Sequence, residues 1–280
     1  TALIDWFLHQ SRDCSRSTME QIKTQSRVRK GFNWNRLLER SMGELLGVGA
    51  LIGWWLMSLN FPSYIVPSPL KVAENIGLLF FDPEFMDDTA ISALRVATSV
   101  FVSVLLGSIL ALGVHWSPAL YGIVHDRIKP FLNSFPSVGW AILAVIWFGN
   151  SSFSVIFVQV AILTPFCLIN VSEGLRELDM ELLEMGRSFT RRYPRRFWKI
   201  IIPLLLPYII SAMRIAYGVG WKIALISELF GADSGIGFIM LRAQILADAA
   251  MVFACCFAIV IIFMAGEKLI INPLSRLGER

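Results

Sequence analysis

The sequence predicts an all-α integral membrane protein with about six transmembrane helices. Hydrophobic residues make up 55% of the 280 residues and charged residues only 16%. A soluble domain carries about 25% charged residues, and its core could not bury so many apolar side chains. The apolar residues also fall into six long runs that polar or proline-containing segments separate. The formal net charge of +4 is small and gives no reason to expect a nucleic-acid partner.

The predicted spans reach the roughly 17–25 residues that a bilayer requires. They cover residues 44–61, 89–116, 131–149, 153–171, 200–230 and 249–271. Pro136, within the run PSVGW, is expected to bend the third span. The turn 149–152 then joins the third and fourth spans into a helical hairpin, and the glycine-rich segment 231–237 (GADSGIG) forms a turn after the fifth.

Basic residues predict the orientation of the chain, because cytoplasmic loops are rich in Lys and Arg. With the N-terminus inside, the outer segments hold only Lys71, Arg242 and, near the outer edge, Arg95. The acidic segment 82–88 then forms an outer loop. We therefore expect a multi-pass protein of a bacterial inner membrane with both termini in the cytoplasm: a basic N-terminal segment (1–43), a transmembrane domain (44–272) and a short tail (273–280).

Four charged side chains lie within or at the edges of the predicted spans, namely Arg95, Arg214, Lys222 and Glu228. A charge at the bilayer centre costs about 2.5–3.5 kcal/mol, so such residues usually face protein or water and form pairs. Lys222 either lines a solute path and favours an anion, or pairs with a carboxylate such as Glu228. Arg95 and Arg214 either contact a solute or make structural or headgroup contacts.

Trp140 and Trp221 are the aromatic candidates for the same path. Each either packs within the helix bundle or lines its cavity. Nothing in the sequence predicts an enzyme, because it has no catalytic constellation around its three histidines and no phosphate-binding GxxxxGK[ST] loop. The four cysteines do not have the spacing of metal ligands, and we expect them to be unpaired thiols. These are Cys14, Cys167, Cys255 and Cys256.

A polar segment at residues 180–203 (MELLEMGRSFTRRYPRRFWKIIIP) separates the fourth and fifth spans. Residues 181–192 can form a helix with an apolar side that includes Met185 and Phe189. Pro194 ends this helix, because the residue before a proline is disfavoured in the α region. The segment is either a cytoplasmic surface to which a soluble partner binds or an ordinary basic inner loop.

The segment resembles the EAA loop of permease subunits of bacterial binding-protein-dependent ABC importers. That loop reads Glu-Ala-Ala, three residues, Gly, nine residues, Ile, one residue, Leu-Pro. Here Glu184 takes the Glu position, Thr190 replaces the Gly, and Ile200 and Pro203 keep theirs. The resemblance implies that the following residues dock an ATPase: Glu184, Met185, Gly186, Arg187, Phe189, Thr190, Ile200 and Pro203.

Further stretches in the same order resemble the nitrate/sulfonate/taurine branch of this family. They are IVPSPLKV (65–72), FPSVGWAILAVIWFG (135–149), LPYIISAMRIAYGVGW (206–221) and ELFGADSGIGFI (228–239). The resemblance covers residues 45–272 and implies the type I ABC importer (MetI-like) permease fold. It also implies a second permease copy, expected to be identical, two ATP-binding cassette subunits and an extracytoplasmic solute-binding protein.

By this resemblance, ATP and Mg²⁺ would be bound by the partner ATPases, and the chain itself would need no cofactor. The expected solute is small and anionic, such as a sulfonate, nitrate or an organic carboxylate. An ATP-independent secondary transporter is the main alternative. An integral membrane enzyme is a third class, disfavoured because no intramembrane cluster of His, Asp or Ser is present.

Overall fold

The computed structural model describes residues 34–178 and 192–274, and every regular element in those two ranges is helical. The chain divides into two compact units, Thr1–Leu56 and Met57–Arg280. The first described helix, α1 (Trp34–Asn60), contains the boundary between them. Its part Glu44–Asn60 is apolar and overlaps the first predicted span, but it is too short to count among the described helices that could cross a membrane.

The second unit holds the remaining helices, which are interrupted by three π-helical turns. In order these are α2 (Pro69–Phe81), α3 (Pro83–Trp116), α4 (Pro118–Tyr121), a π turn (Gly122–Ile128), α5 (Lys129–Ser134), α6 (Ser137–Phe148), α7 (Ser152–Arg176), α8 (Tyr193–Arg196), a π turn (Phe197–Ile201), α9 (Ile202–Gly231), α10 (Ile236–Ile245), α11 (Ala249–Gly266) and a π turn (Glu267–Ile271).

Among the described residues, 4 helices are long and apolar enough to cross a membrane. They are Pro83–Val114, Ser152–Arg176, Phe197–Gly231 and Ala249–Leu274. They coincide with the second, fourth, fifth and sixth predicted spans. The prediction of an acidic outer loop at 82–88 is wrong in one respect, because most of these residues form the first turns of α3. Asp82 accepts a hydrogen bond from the Glu84 N–H and Pro83 occupies the first helical position, so the helix begins there.

The third predicted span is broken rather than continuous. The helical stretches Gly122–Leu132 and Ser137–Phe148 meet at an angle of 92°, and together they would make a fifth span. Phe135, which precedes Pro136, is extended (φ −76°, ψ 128°), as expected for a residue before proline. The bend at Pro136 was predicted, and most of residues 119–130 before it are helical.

The helices α3, α7 and α9 share one buried core. Val96 and Val100 of α3 belong to it together with Leu163 of α7. Gly107 lets α3 and α7 approach closely, since a Cβ atom there would lie 2.6 Å from the Cβ atom of Cys167. This contact agrees with the general use of small residues at helix interfaces in lipid.

Candidate functional site

A buried ion pair joins α3 to α9. The Nη1 atom of Arg95 lies 3.1 Å from Oε1 of Glu228, and the two side chains are only 3% and 2% exposed. The partners are 133 residues apart in the sequence. Because both charges are removed from solvent, the pair is favourable only if the remaining hydrogen-bonding groups also find partners.

Arg95 uses all three of its guanidinium nitrogens. Nε and Nη2 donate to the hydroxyl of Ser152, at 3.1 and 2.8 Å. Nη2 also donates to Oγ of Ser234 at 2.8 Å, and Nη1 donates to the Ser234 carbonyl at 2.7 Å. Ser152 begins α7, and Ser234 lies in the turn that follows α9. One side chain of α3 therefore binds the ends of two further spans.

Glu228 accepts hydrogen bonds from a second set of donors. The hydroxyl of Ser92, one turn before Arg95, lies 2.8 Å from both carboxylate oxygens, and the backbone N–H of Gly237 donates to Oε2 at 3.0 Å. Ser92 in turn accepts from the backbone N–H of Ile236 at 2.8 Å. We call Ser92, Arg95, Ser152, Glu228 and Ser234 the Arg95–Glu228 network.

The glycines of the turn 231–237 allow the backbone to approach this carboxylate. Gly235 has φ +104°, a conformation that L-residues rarely adopt, and a Cβ atom there would lie 2.8 Å from the Glu228 carboxylate. A Cβ atom on Gly237 would lie 2.5 Å from the Cβ atom of Glu228. The Gly235 N–H also donates to Oδ1 of Asp88 at 2.8 Å, which ties the turn to α3 once more.

The four charged side chains within or at the edges of the predicted spans have different environments. Arg95 and Glu228 pair with each other, whereas Lys222 is exposed and makes no hydrogen bond or ion pair within residues 34–178 and 192–274. The alternative of a Lys222–Glu228 pair is therefore wrong. Glu228 is buried on the side of α9 that faces α3, while Lys222, six residues earlier, is exposed. Arg214 lies 3.8 Å from Glu267 in a half-exposed ion pair and donates to Asn272, so it makes structural contacts.

Both tryptophans are buried in packed clusters. Trp140 lies against Phe135 and Phe157, with ring centroids 4.9 and 6.1 Å away, and Trp221 lies edge-on to Tyr217 at 6.3 Å. In this conformation both residues pack within the bundle. Among the described residues no group of three His, Cys, Asp or Glu side chains could hold a metal ion.

Two of the predicted docking residues fall in the described part of the chain. Ile200 lies in the π turn Phe197–Ile201, and Pro203 occupies the first turn of α9. The others lie outside the described residues, and their docking role stays a prediction. They are Glu184, Met185, Gly186, Arg187, Phe189 and Thr190.

Sequence reasoning missed the serines of the network, although α3 carries a signal that could have found them. Asp88, Ser92, Arg95 and Ser99 recur at spacings of four, three and four residues, which places them on one side of a helix. A polar row of this kind in an otherwise apolar span indicates a buried partner. Nothing in the local sequence around Ser152 and Ser234 predicts that they accept hydrogen bonds from Arg95.

The fold and this network define a multi-pass helical membrane protein whose spans are joined at one end by polar contacts. Residues 103–270 match the family described as "Binding-protein-dependent transport system inner membrane component". The match covers more than half of the chain, so the chain belongs to this family. It is a transport permease subunit, as the resemblance in the sequence predicted.

Relatives with named transport roles are similar over most of their length. The chain is 28% identical over 223 residues to the taurine transport system permease protein TauC of Escherichia coli (strain K12), covering 76% of this chain and 80% of that protein. It is 26% identical over 217 residues to the putative aliphatic sulfonates transport permease protein SsuC of Bacillus subtilis (strain 168), covering 77% and 76%.

A third relative is named for bicarbonate transport. The bicarbonate transport system permease protein CmpB of Synechococcus elongatus is 26% identical over 218 residues, covering 73% of this chain and 78% of that protein. Among solved structures, an inward-facing MetNI methionine ABC transporter matches 69% of this chain and 99% of the compared chain, with 17% identity and a TM-score of 0.47.

Proposed function

We propose that this chain forms the translocation path of an ATP-driven importer for a small anionic solute, such as a sulfonate, nitrate or an organic carboxylate. The observation that carries the proposal is Lys222, an exposed cation without a partner among the described residues, on an apolar span. It lies nine residues before the end of α9 at Gly231, or about 14 Å along the helix at 1.5 Å per residue. With Gly231 at the membrane boundary, that distance is close to half of the roughly 30 Å hydrocarbon core.

An ammonium group at this depth needs water or a counter-charge, because contact with lipid alone is strongly unfavourable. A hydrated path between two permease copies would supply water, and an anionic solute would supply the charge. The relatives named for taurine, aliphatic sulfonates and bicarbonate support this class of solute, since each of these molecules carries an anionic oxygen-rich group at neutral pH.

The energy would come from other chains. The sequence contains no phosphate-binding loop of its own, and the family to which it belongs consists of binding-protein-dependent systems. In this proposal two ATPase subunits with bound ATP and Mg²⁺ dock on the segment 180–203, a binding protein delivers solute from outside, and both termini are cytoplasmic. The N-terminal segment 1–43 and the tail 273–280 flank the transmembrane domain 44–272.

The test uses the complete complex in proteoliposomes, with radiolabelled taurine, ethanesulfonate, nitrate and bicarbonate as probes. We expect uptake that requires ATP and resists uncouplers. Lys222→Ala should lower kcat/KM for the transported anion by about tenfold to a hundredfold, the effect of losing one hydrogen bond to a charged group. Lys222→Arg should keep most of the activity.

Lys268→Ala is the matched control, because Lys268 is an exposed lysine in the π turn after α11 and has no proposed contact with solute. Normal uptake by Lys222→Ala would refute the role of this lysine. Uptake that continues without ATP and stops with an uncoupler would identify a secondary transporter instead.

A further inference from the structure

Gln159 is a polar residue in an apolar row of α7. The residues Val155, Gln159, Leu163 and Cys167 follow one another at four-residue spacing, and each of them is 0% exposed. Neither the amide nitrogen nor the amide oxygen of Gln159 has a hydrogen-bond partner among the described residues. Both ends of one buried side chain are therefore unsatisfied.

Packing of this conformation does not explain a glutamine at this position. A buried amide without partners destabilises a fold, whereas an apolar side chain of similar size would extend the row without penalty. Each unsatisfied buried group in a native structure needs a reason, such as a bound water, an ion or a functional role. Gln159 accordingly points to a ligand or to another conformation in which its amide is bonded.

Two other polar groups without partners among the described residues belong to α6 and α9, the helices that pack against α7. The indole Nε1 of Trp140 is buried and has no acceptor among the described residues. Trp140 shares a packed cluster with Val158, which precedes Gln159, and with Ile223, which follows Lys222. The cluster thus brings α6, α7 and α9 together at the positions next to the unpartnered amide and the unpartnered ammonium group.

All three groups also lie at a similar depth. The end of α9 and the start of α7 meet where the Ser151 N–H donates to the Gly231 carbonyl at 3.1 Å, and α6 ends at the same turn. From that end Trp140 is eight residues away, Gln159 seven and Lys222 nine. At 1.5 Å per residue these distances are about 12, 10 and 14 Å. Three unpartnered hydrogen-bond donors therefore occupy one layer of the bundle.

We propose that Gln159 is a specificity-determining residue of the translocation path, and this inference rests on the proposed function. When α6, α7 and α9 move apart during transport, the Gln159 amide N–H groups, the Trp140 indole N–H and the Lys222 ammonium group bind the oxygens of the passing oxyanion. N–H donors and a cation suit an anionic group and would leave a cationic solute unbound. Gln159 stays unsatisfied in the closed bundle because its ligand is the solute.

The first test compares stability with transport. Gln159→Leu removes the unsatisfied amide, so its melting temperature should equal or exceed that of the wild type, while kcat/KM for taurine falls about tenfold or more. Leu163→Met, one turn away in the same buried row, is the control and should transport normally. Normal transport by a stable Gln159→Leu variant would overturn the proposal.

The second test needs no transported solute and therefore separates this inference from the proposed function. A single cysteine replaces Gln159 in a full-length chain whose four native cysteines are serine or alanine, within the complete complex. We expect an anionic methanethiosulfonate reagent to modify it in at least one nucleotide state, about tenfold or more faster than a cysteine at Leu163, which stays in the core.

Equal protection of both cysteines in every nucleotide state would overturn the inference, whichever solute the complex carries. If the wild type takes up no anion but Gln159→Cys is modified, the proposed class of solute is wrong. Gln159 would then still line a path that water reaches. If Gln159→Leu lowers the melting temperature and Gln159→Cys is never modified, the residue has a structural role, and the inference is likewise refuted.

Discussion

Glu228→Gln should destabilise the protein strongly, because it removes one charge of a buried pair while the other remains. Glu228 is 1% exposed, and its carboxylate accepts from Arg95, Ser92 and the Gly237 N–H. Glutamine keeps one oxygen that can accept a hydrogen bond. Its NH₂ group, however, would face one of the donors that now bind the carboxylate, which is unfavourable. Breaking a buried ion pair in this way costs about 3–5 kcal/mol.

The expected loss can be converted into a melting temperature. A change of 1 kcal/mol shifts the melting temperature of a chain of 150–250 residues by about 2–4 °C, so the variant should melt about 6–20 °C lower. The measurement is thermal unfolding of the detergent-solubilised protein, followed by size-exclusion chromatography of the fraction that stays folded. Because the chain spans a membrane, the comparison between variants in one detergent is the informative quantity.

Glu267→Gln is the matched control for this experiment. It breaks the Arg214–Glu267 pair, whose side chains are 48% and 37% exposed and lie 3.8 Å apart. Exposed pairs contribute about 0–1 kcal/mol, so this variant should melt within about 4 °C of the wild type. The combined Arg95→Gln and Glu228→Gln variant should lose less than the sum of the two single losses, because neither charge is then left alone. Equal melting temperatures for Glu228→Gln and Glu267→Gln would refute the reasoning.

Two further predictions concern the groups around Glu228. Ser92→Ala should lower the free energy of unfolding by about 2 kcal/mol, because it leaves both the carboxylate and the Ile236 N–H short of a partner. The Ser99 hydroxyl donates to the Arg95 carbonyl of its own helix and has no other partner among the described residues, so Ser99→Ala should change the melting temperature little. Gly235→Ala should destabilise the protein by more than 1 kcal/mol in the same assay, since φ is +104° and the new methyl group would meet the carboxylate. Gly77→Ala, a helical position with nothing within 4 Å, should be neutral or slightly stabilising, and the opposite order of the two glycine variants would contradict this account.

The sequence allowed the spans to be predicted, because their signal is local. Twenty or so consecutive apolar residues have few alternatives to a membrane helix, and a proline displaces the residue before it from the α region wherever it occurs. The bend at Pro136 could therefore be foreseen. Its angle of 92° depends on how the two helical stretches pack and could not.

The pairing of charges was the part that the sequence could not supply. Lys222 and Glu228 are close in sequence on one helix, which favoured a mutual pair, but Glu228 pairs with Arg95 on another helix 133 residues away. Only the polar row on α3 hinted at such a partner. The docking role of Glu184 remains a prediction, since that residue lies outside the described part of the chain.

Arg95 has a consequence for how the bundle can move. A single guanidinium group is bonded to Ser152, Glu228 and Ser234, which belong to the start of α7, the end of α9 and the turn after it. Separating α3 from the end of α9 would leave the buried charges of Arg95 and Glu228 without each other, and moving either serine away would leave the guanidinium group short of an acceptor. We therefore expect these three segments to move together with α3 as one rigid unit. The helices would then separate mainly at the ends that lie away from Arg95.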